Sequence, residues 1–157
     1  MNPEKELRFL LNYRSLRRSN FERLYIERMT SNEIILIVDD ERSILTVLDH
    51  QINSFFGNRF TLEFANSANE AFEVYKELLA TGNTVSLVIT DQMMPGMKGN
   101  ELIEKLKALT PELHTVLLTG YADTKVMSEL LEKKDITCID KPWEKSEITD
   151  LIDQLLA

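Results

Sequence analysis

Four short stretches of this chain carry side chains that can do chemistry together: Asp39-Asp40, Asp91, Thr119 and Lys141. Each stands at or just beyond the end of an apolar run: IILIV, VSLVIT, TVLL and ITCI respectively. Three carboxylates crowded at one point repel strongly unless a cation neutralises them. They are hard oxygen ligands, and a site that keeps several waters suits Mg²⁺ better than an all-protein cage. A hydroxyl at Thr119 and an ammonium at Lys141, next to a cation and a carboxylate, describe a site for a phosphoryl group bonded to that carboxylate. Taken singly, each stretch has a plainer reading. Asp39-Asp40 fits an acid pair at a helix start, Lys141-Pro142 a simple loop, and Asp91 a solvated strand end. The set gains its meaning only if the fold brings its members to one place.

The elements that would do so are legible as apolar patterns. Ile34 to Val38, Phe60 to Phe64, Val85 to Thr90, Thr115 to Thr119 and Ile136 to Asp140 read as strands. Helices are expected between them. The first runs from Ser43 to Phe56 and is closed by Gly57, with Ile44, Leu45, Leu48, Ile52 and Phe55 on one face. The second follows a capping box at Ser67-x-x-Glu70 and carries Ala71, Phe72, Val74, Tyr75, Leu78 and Leu79 before Gly82. Asn100 to Leu109, a weaker helix from Asp123 to Lys134, and Glu144 to Leu156 complete the series. Pro95, Gly96 and Gly99 read as loop residues behind Asp91. Strand and helix alternating at this spacing imply parallel strands, right-handed crossovers and helices on both faces. The expected fold is an α/β, flavodoxin-like, doubly wound five-stranded parallel sheet in the order 2-1-3-4-5. All C-terminal strand tips then share one edge, and Asp39, Asp40 and Asp91 meet where strands 1 and 3 flank the switch point. Thr119 and Lys141 complete the rim.

The whole chain has 157 residues, 43% apolar and 28% charged, which suits one domain and an appendage. No run approaches the roughly 18 apolar residues of a membrane span, and the start MNPEKELRF lacks the apolar core of a signal peptide. One cysteine, Cys138, can form no internal disulfide and no cysteine-rich zinc site, so a cytoplasmic location is expected. The net charge of −8 is unevenly spread: residues 1–32 hold seven basic and four acidic side chains, while 33–157 hold eleven and twenty-two. Residues 1–32 are therefore expected to be a separate helical extension, and 33–157 the functional domain. The extension starts at Asn2-Pro3-Glu4 and places Leu7, Leu10, Leu11, Leu16, Phe21, Leu24, Tyr25 and Met29 at helical spacing. It reads as one long helix or as two broken near Ser19, serving packing, dimerisation or linkage. A domain as acidic as 33–157 is a poor binder of nucleic acid.

With these residues in view, the chain resembles the receiver domain of two-component response regulators. The likeness rests on LIVDDE, VITDQMMPGMKG, LLTGYAD and IDKPW, and covers about Glu33 to Ala157. The TGYAD and KPW wording is similar to receivers of HD-type phosphodiesterases and hydrogenase regulators. The resemblance implies a phosphoacceptor at Asp91 and Mg²⁺ held by Asp40 directly and by Asp39 mostly through water, with Asp91 and the Met93 carbonyl completing the set. Thr119 and Lys141 would bind phosphoryl oxygens on activation. Cys138 occupies the place where the family often has an aromatic switch residue, and Tyr121, two residues after Thr119, is a candidate for part of that role. Lys134-Asp135 stands where receivers commonly have Gly-Ala.

The function implied is acceptance of a phosphoryl group from a histidine kinase or phosphotransfer protein, followed by a change in partner interactions. Beyond self-phosphorylation from phosphodonors and loss of the phosphoryl group to water, no enzymatic activity is expected. A Mg²⁺-dependent phosphohydrolase would want a second carboxylate close after Asp91, where the chain has Gln92, Met93 and Met94. A phosphorylation-independent docking scaffold is the other alternative, and the presence of all five key residues speaks against it. His50 and His114 lie in no phosphodonor motif. Self-association is expected through the N-terminal helix or the face made by the 123–134 helix, the fifth strand and the last helix. No output segment follows Leu156-Ala157 in the sequence, so a stand-alone receiver or a piece of a larger regulator is expected.

Overall fold

The run EIILIV becomes strand β1 (Glu33–Val38), and its alternation divides the core in two. Ile34, Leu36 and Val38 point to one face of the sheet, and Ile35 and Ile37 to the other. A strand apolar at every position suits a sheet covered on both sides. The computed structural model describes residues 33–120, 128, 129, 132 and 136–156. The expected N-terminal helix and most of the expected 123–134 helix lie outside the described residues.

The remaining elements are α1 (Arg42–Phe56), β2 (Phe60–Ala65), α2 (Ala68–Ala80), β3 (Val85–Asp91), α3 (Gly99–Leu109), β4 (His114–Thr119), β5 (Thr137–Asp140) and α4 (Lys145–Leu156). The strands form one sheet in the order β2-β1-β3-β4-β5, and every neighbouring pair is parallel. The expected architecture is thus the observed one. Helices α2 and α3 cover the face that holds Leu36, Val88, Leu102 and Leu106. Helices α1 and α4 cover the face that holds Ile37, Ile89, Leu48 and Ile152.

Periodicity alone does not predict two details. Val85 and Val88 share a face although they are three residues apart. The register explains it: Ile34 pairs with Val85 but Ile35 with Leu87, so Ser86 is an extra residue in β3. A bulge of this kind resets the alternation. In α1 the expected core residue Phe55 is 58% exposed, and Phe56 packs on the core instead. Leu48, Ile52 and Phe56 are spaced by four, which keeps them on one stripe of a 3.6-residue helix. Gly57, at φ 60°, ends that helix where a side chain would be strained.

Local chemistry fixes the helix starts. Ser67 Oγ accepts from the Glu70 N–H at 3.1 Å, as the capping box predicts, while Glu70 Oε2 accepts from Asn66 N–H at 2.8 Å and not from Ser67. At the N-terminal end of the sheet, Arg59 joins three elements. Its guanidinium donates to the Leu156 carbonyl, lies 3.8 Å from both Glu33 and Asp153, and stacks 4.7 Å from the centre of the Phe60 ring. Among the described residues no helix is long and apolar enough to cross a membrane.

Tyr75 of α2 is fully buried and donates to Thr110 Oγ1 at 2.6 Å, tying α2 to the end of α3. Burial pushes its phenol above 10.0, the hydrogen bond opposes this, and the nearby Glu112 charge adds to it. Tyr75→Phe should therefore cost about 1 kcal/mol at neutral pH, the worth of one buried hydrogen bond. A folded-state pKa above the unfolded value means the native state holds its proton longer, so wild-type stability falls as pH rises past about 10. The gap between wild type and Tyr75→Phe should then narrow, which denaturant melts at pH 7 and 10.5 would show. An unchanged gap would mean that Tyr75 does not titrate in its folded environment as described.

Candidate functional site

The C-terminal tips of β1, β3, β4 and β5 form one edge, and all the acidic candidates converge there. Asp39 follows β1 and is fully buried; Asp91 is the last residue of β3 and 6% exposed; Asp40 is exposed. One carboxylate oxygen from each of the three lies within 4.8 Å of those of the other two. Parallel pairing of β1 with β3, with Val38 opposite Thr90, makes this approach unavoidable. Lys141, just past β5, reaches across the edge into the cluster. Its Nζ is 2.8 Å from Asp91 Oδ1 and 3.3 Å from Asp39 Oδ2.

The electrostatics follow from burial. Desolvation raises the Asp39 pKa, and the Asp91 charge adds to it. The Glu41 N–H, which donates to Asp39 Oδ1 at 2.9 Å, and the Lys141 ammonium oppose the rise without cancelling it. Burial alone would lower the Lys141 pKa, but its hydrogen bond to Asp91 and the two carboxylate charges raise it on balance. The ammonium therefore stays charged at neutral pH, between two buried acids.

Thr119, the last residue of β4, is 1% exposed on the same rim. Its hydroxyl donates to Asp140 Oδ1 at 3.3 Å, and its carbonyl accepts from the Lys141 N–H at 2.7 Å. Met93 lies two residues past Asp91 and is 49% exposed. Cys138 is half-buried in β5, opposite Leu117, and packs with Ile136 against Ile103 and Leu117. Burial, aided by Asp140, pushes its thiol pKa up, so the sulfur is a small packing group and not a reactive thiolate at neutral pH. Tyr121 lies outside the described residues. His50 is exposed, its Nδ1 3.3 Å from Ser54 Oγ, and His114 is exposed at the opposite end of β4, so neither lies at this edge.

Several residues at the edge carry no sequence motif of their own. Gln92 is 2% exposed and clasps Asn100 at the start of α3. Gly99, expected as a loop residue, is the first residue of α3 and lies against the Asp91 main chain. Trp143 donates to Gln51 Oε1 at 3.0 Å, linking the segment after Lys141 to α1. A buried amide two positions from MPG is the only signal that pointed to Gln92, and it needs the fold to be read.

A parallel sheet in this order, with acids at the tips of β1 and β3 and a lysine after β5, defines a receiver-like α/β domain. Residues 35–153 match the family model of the response regulator receiver domain, and the chain belongs to that family. It is 30% identical over 125 residues to sporulation initiation phosphotransferase F of Bacillus subtilis, covering 80% of this chain and 94% of that protein. A response regulator receiver domain from Clostridium thermocellum superposes with a TM-score of 0.69 at 25% identity, over 79% of this chain and 94% of that one. The signal receiver domain of an HD domain-containing protein from Pseudomonas fluorescens Pf-5 gives 0.67 at 30% identity, over 80% and 94%. The hydrogenase transcriptional regulatory protein HoxA of Cupriavidus necator is 27% identical over 121 residues, 76% of this chain but 23% of its own length. The chain likewise spans only 32% of the regulator YesN of Bacillus subtilis and 13% of the sensor kinase CckA of Brucella abortus.

Proposed function

We propose that this receiver domain takes a phosphoryl group from the phosphohistidine of a histidine kinase or phosphotransfer protein onto Asp91, and that the modified domain changes its partner interactions. The observation that carries this reading is Lys141 Nζ lodged between the buried Asp39 and Asp91, with Asp40 exposed beside them. A single ammonium, touching two of three clustered acids, leaves negative charge uncompensated, and the donors are all hard oxygens. That set fits Mg²⁺. Asp40 and Asp91 would hold it directly, Asp39 mostly through water, and the Met93 carbonyl would complete the protein ligands. When bound, Mg²⁺ neutralises charge that develops on the transferring oxygens.

The chain's own residues supply position. Lys141 holds Asp91 Oδ1, which fixes the carboxylate at the mouth of the edge. A carboxylate oxygen attacks phosphorus as the phosphorus–nitrogen bond of the donor breaks, and the departing imidazole nitrogen takes up a proton. Transfer of this kind asks mainly for alignment and charge neutralisation. Lys141 and the Thr119 hydroxyl then pair with phosphoryl oxygens. Water later cleaves the mixed anhydride and returns free phosphate. A near-complete switch requires roughly 5.5 kcal/mol of differential stabilisation between the two conformations, and smaller biases give partial responses. Residues 33–157 are the phosphoacceptor unit in this reading, and 1–32 an extension of opposite charge.

Incubating the full chain with Mg²⁺ and acetyl phosphate, followed by intact mass, tests the proposal. One added phosphoryl group is expected, absent from Asp91→Ala and prevented by chelation. Wild-type chain that stays unmodified while circular dichroism shows it folded would sink the assignment.

A further inference from the structure

Gln92, directly after Asp91, is an amide side chain buried to 2% exposure. Its main-chain N–H donates to the Leu118 carbonyl at 3.0 Å, carrying the β3–β4 ladder past Asp91, and its carbonyl accepts from the Gly99 N–H at 3.1 Å. Its Nε2 donates to Asn100 Oδ1 and its Oε1 accepts from the Asn100 N–H, both at 2.9 Å. A main-chain N–H can only donate, so the amide can face Asn100 only this way round.

These bonds answer a need of α3. The helix begins at Gly99, and the Lys98 side chain before it makes no cap bond. The first N–H groups of a helix have no partner within it. Gln92 accepts from two of them, at Gly99 and Asn100, and thereby caps a helix from the strand that precedes it. The loop from Met93 to Lys98 is closed at its neck by the three of these bonds that reach Gly99 and Asn100. Asp91 lies on one side of Gln92 and Met93 on the other, so the two proposed protein ligands are adjacent to a single anchored residue.

We infer that Gln92 is a positioning residue for the cation site: its clasp on Gly99 and Asn100 holds the Asp91 carboxylate and the Met93 carbonyl in register. The inference rests on the reading of Asp91 as a cation-assisted phosphoacceptor and adds a determinant outside the acids themselves. A partner that orients metal ligands is typically worth 10–100-fold in affinity.

The test is calorimetric titration of the metal-free full chain with Mg²⁺ alone, alongside thermal unfolding in chelator. Gln92→Met keeps the volume and the neutral charge but removes both side-chain bonds, and its Mg²⁺ dissociation constant should rise about tenfold. Asn100→Asp retains the oxygen acceptor and the main-chain N–H, so it should bind close to wild type. Asn100→Ala keeps only the bond to its N–H and should fall between. A folded Gln92→Met with wild-type affinity and a lowered melting temperature would overturn the inference, since the clasp would then serve the fold alone. Should Gln92→Met not fold, equal affinities of Asn100→Ala and Asn100→Asp would overturn it as well. Wild-type chain that binds no Mg²⁺ would instead overturn the cation reading on which it rests.

Discussion

Gly99→Ala should destabilise the domain by about 2 kcal/mol, although alanine is normally the better helix residue by about 1 kcal/mol. A Cβ at this position would lie 2.1 Å from the Asp91 carbonyl oxygen, 2.8 Å from Leu117 Cδ1 and 3.0 Å from the Asp91 carbonyl carbon. Leu117 can turn aside. The Asp91 main chain cannot, because the Gln92 N–H is bonded to Leu118 and the Gln92 carbonyl to the Gly99 N–H. Relief therefore requires α3 to lift from β3, which breaks that last bond and loosens Leu102, Ile103 and Leu106, all fully buried. Overpacking costs about 1–3 kcal/mol and the broken hydrogen bond about 1 more. Urea unfolding of wild type and variant measures the difference. A variant as stable as wild type would mean that the close approach of helix and strand does not exist in solution.

Lys141→Met should cost the metal-free domain about 3 kcal/mol, the lower end of the range for breaking a buried ion pair, since the lysine is partly solvated. The variant leaves Asp39 and Asp91 facing each other without the ammonium that lies 3.3 and 2.8 Å from them. Mg²⁺ should have the opposite sign of effect. With one positive charge gone from the acid cluster, the cation should bind more tightly, and binding to the native state alone raises stability by RT ln(1 + [Mg²⁺]/Kd), which grows as Kd falls. The melting temperature of the variant should start lower than that of wild type and climb further as Mg²⁺ is added. A variant that melts like wild type in chelator would show that Lys141 does not hold the two acids in solution.

Much of the fold is legible in the sequence because its signals are local and repeated. Five apolar runs, each followed by a helical stripe, allow few arrangements, and the parallel order places their tips together. The convergence of Asp39, Asp40, Asp91, Thr119 and Lys141 follows from that order alone. What the sequence conceals is set by contacts between distant segments. The extra residue Ser86 leaves no mark on composition, yet it reverses the side to which Val85 points. Gly99 looks like a loop glycine because its constraint comes from the Asp91 carbonyl, not from its own dihedral angles. Gln92 reads as filler after Asp91 until the start of α3 is brought beside it. The Thr119 hydroxyl takes Asp140 as its partner because parallel pairing puts Thr119 opposite Asp140, a register that neither stretch encodes alone.

The position of Arg59 bears on how such a domain can be joined to other things. β1 runs from Glu33 towards the acid edge, and α4 runs back from it to Leu156, so entry and exit lie at the same pole. Arg59 ties that pole together through Glu33 and the Leu156 carbonyl. Load applied at Glu33 or at Leu156 is therefore borne by the base of the domain, a full strand length from the edge that holds Asp91.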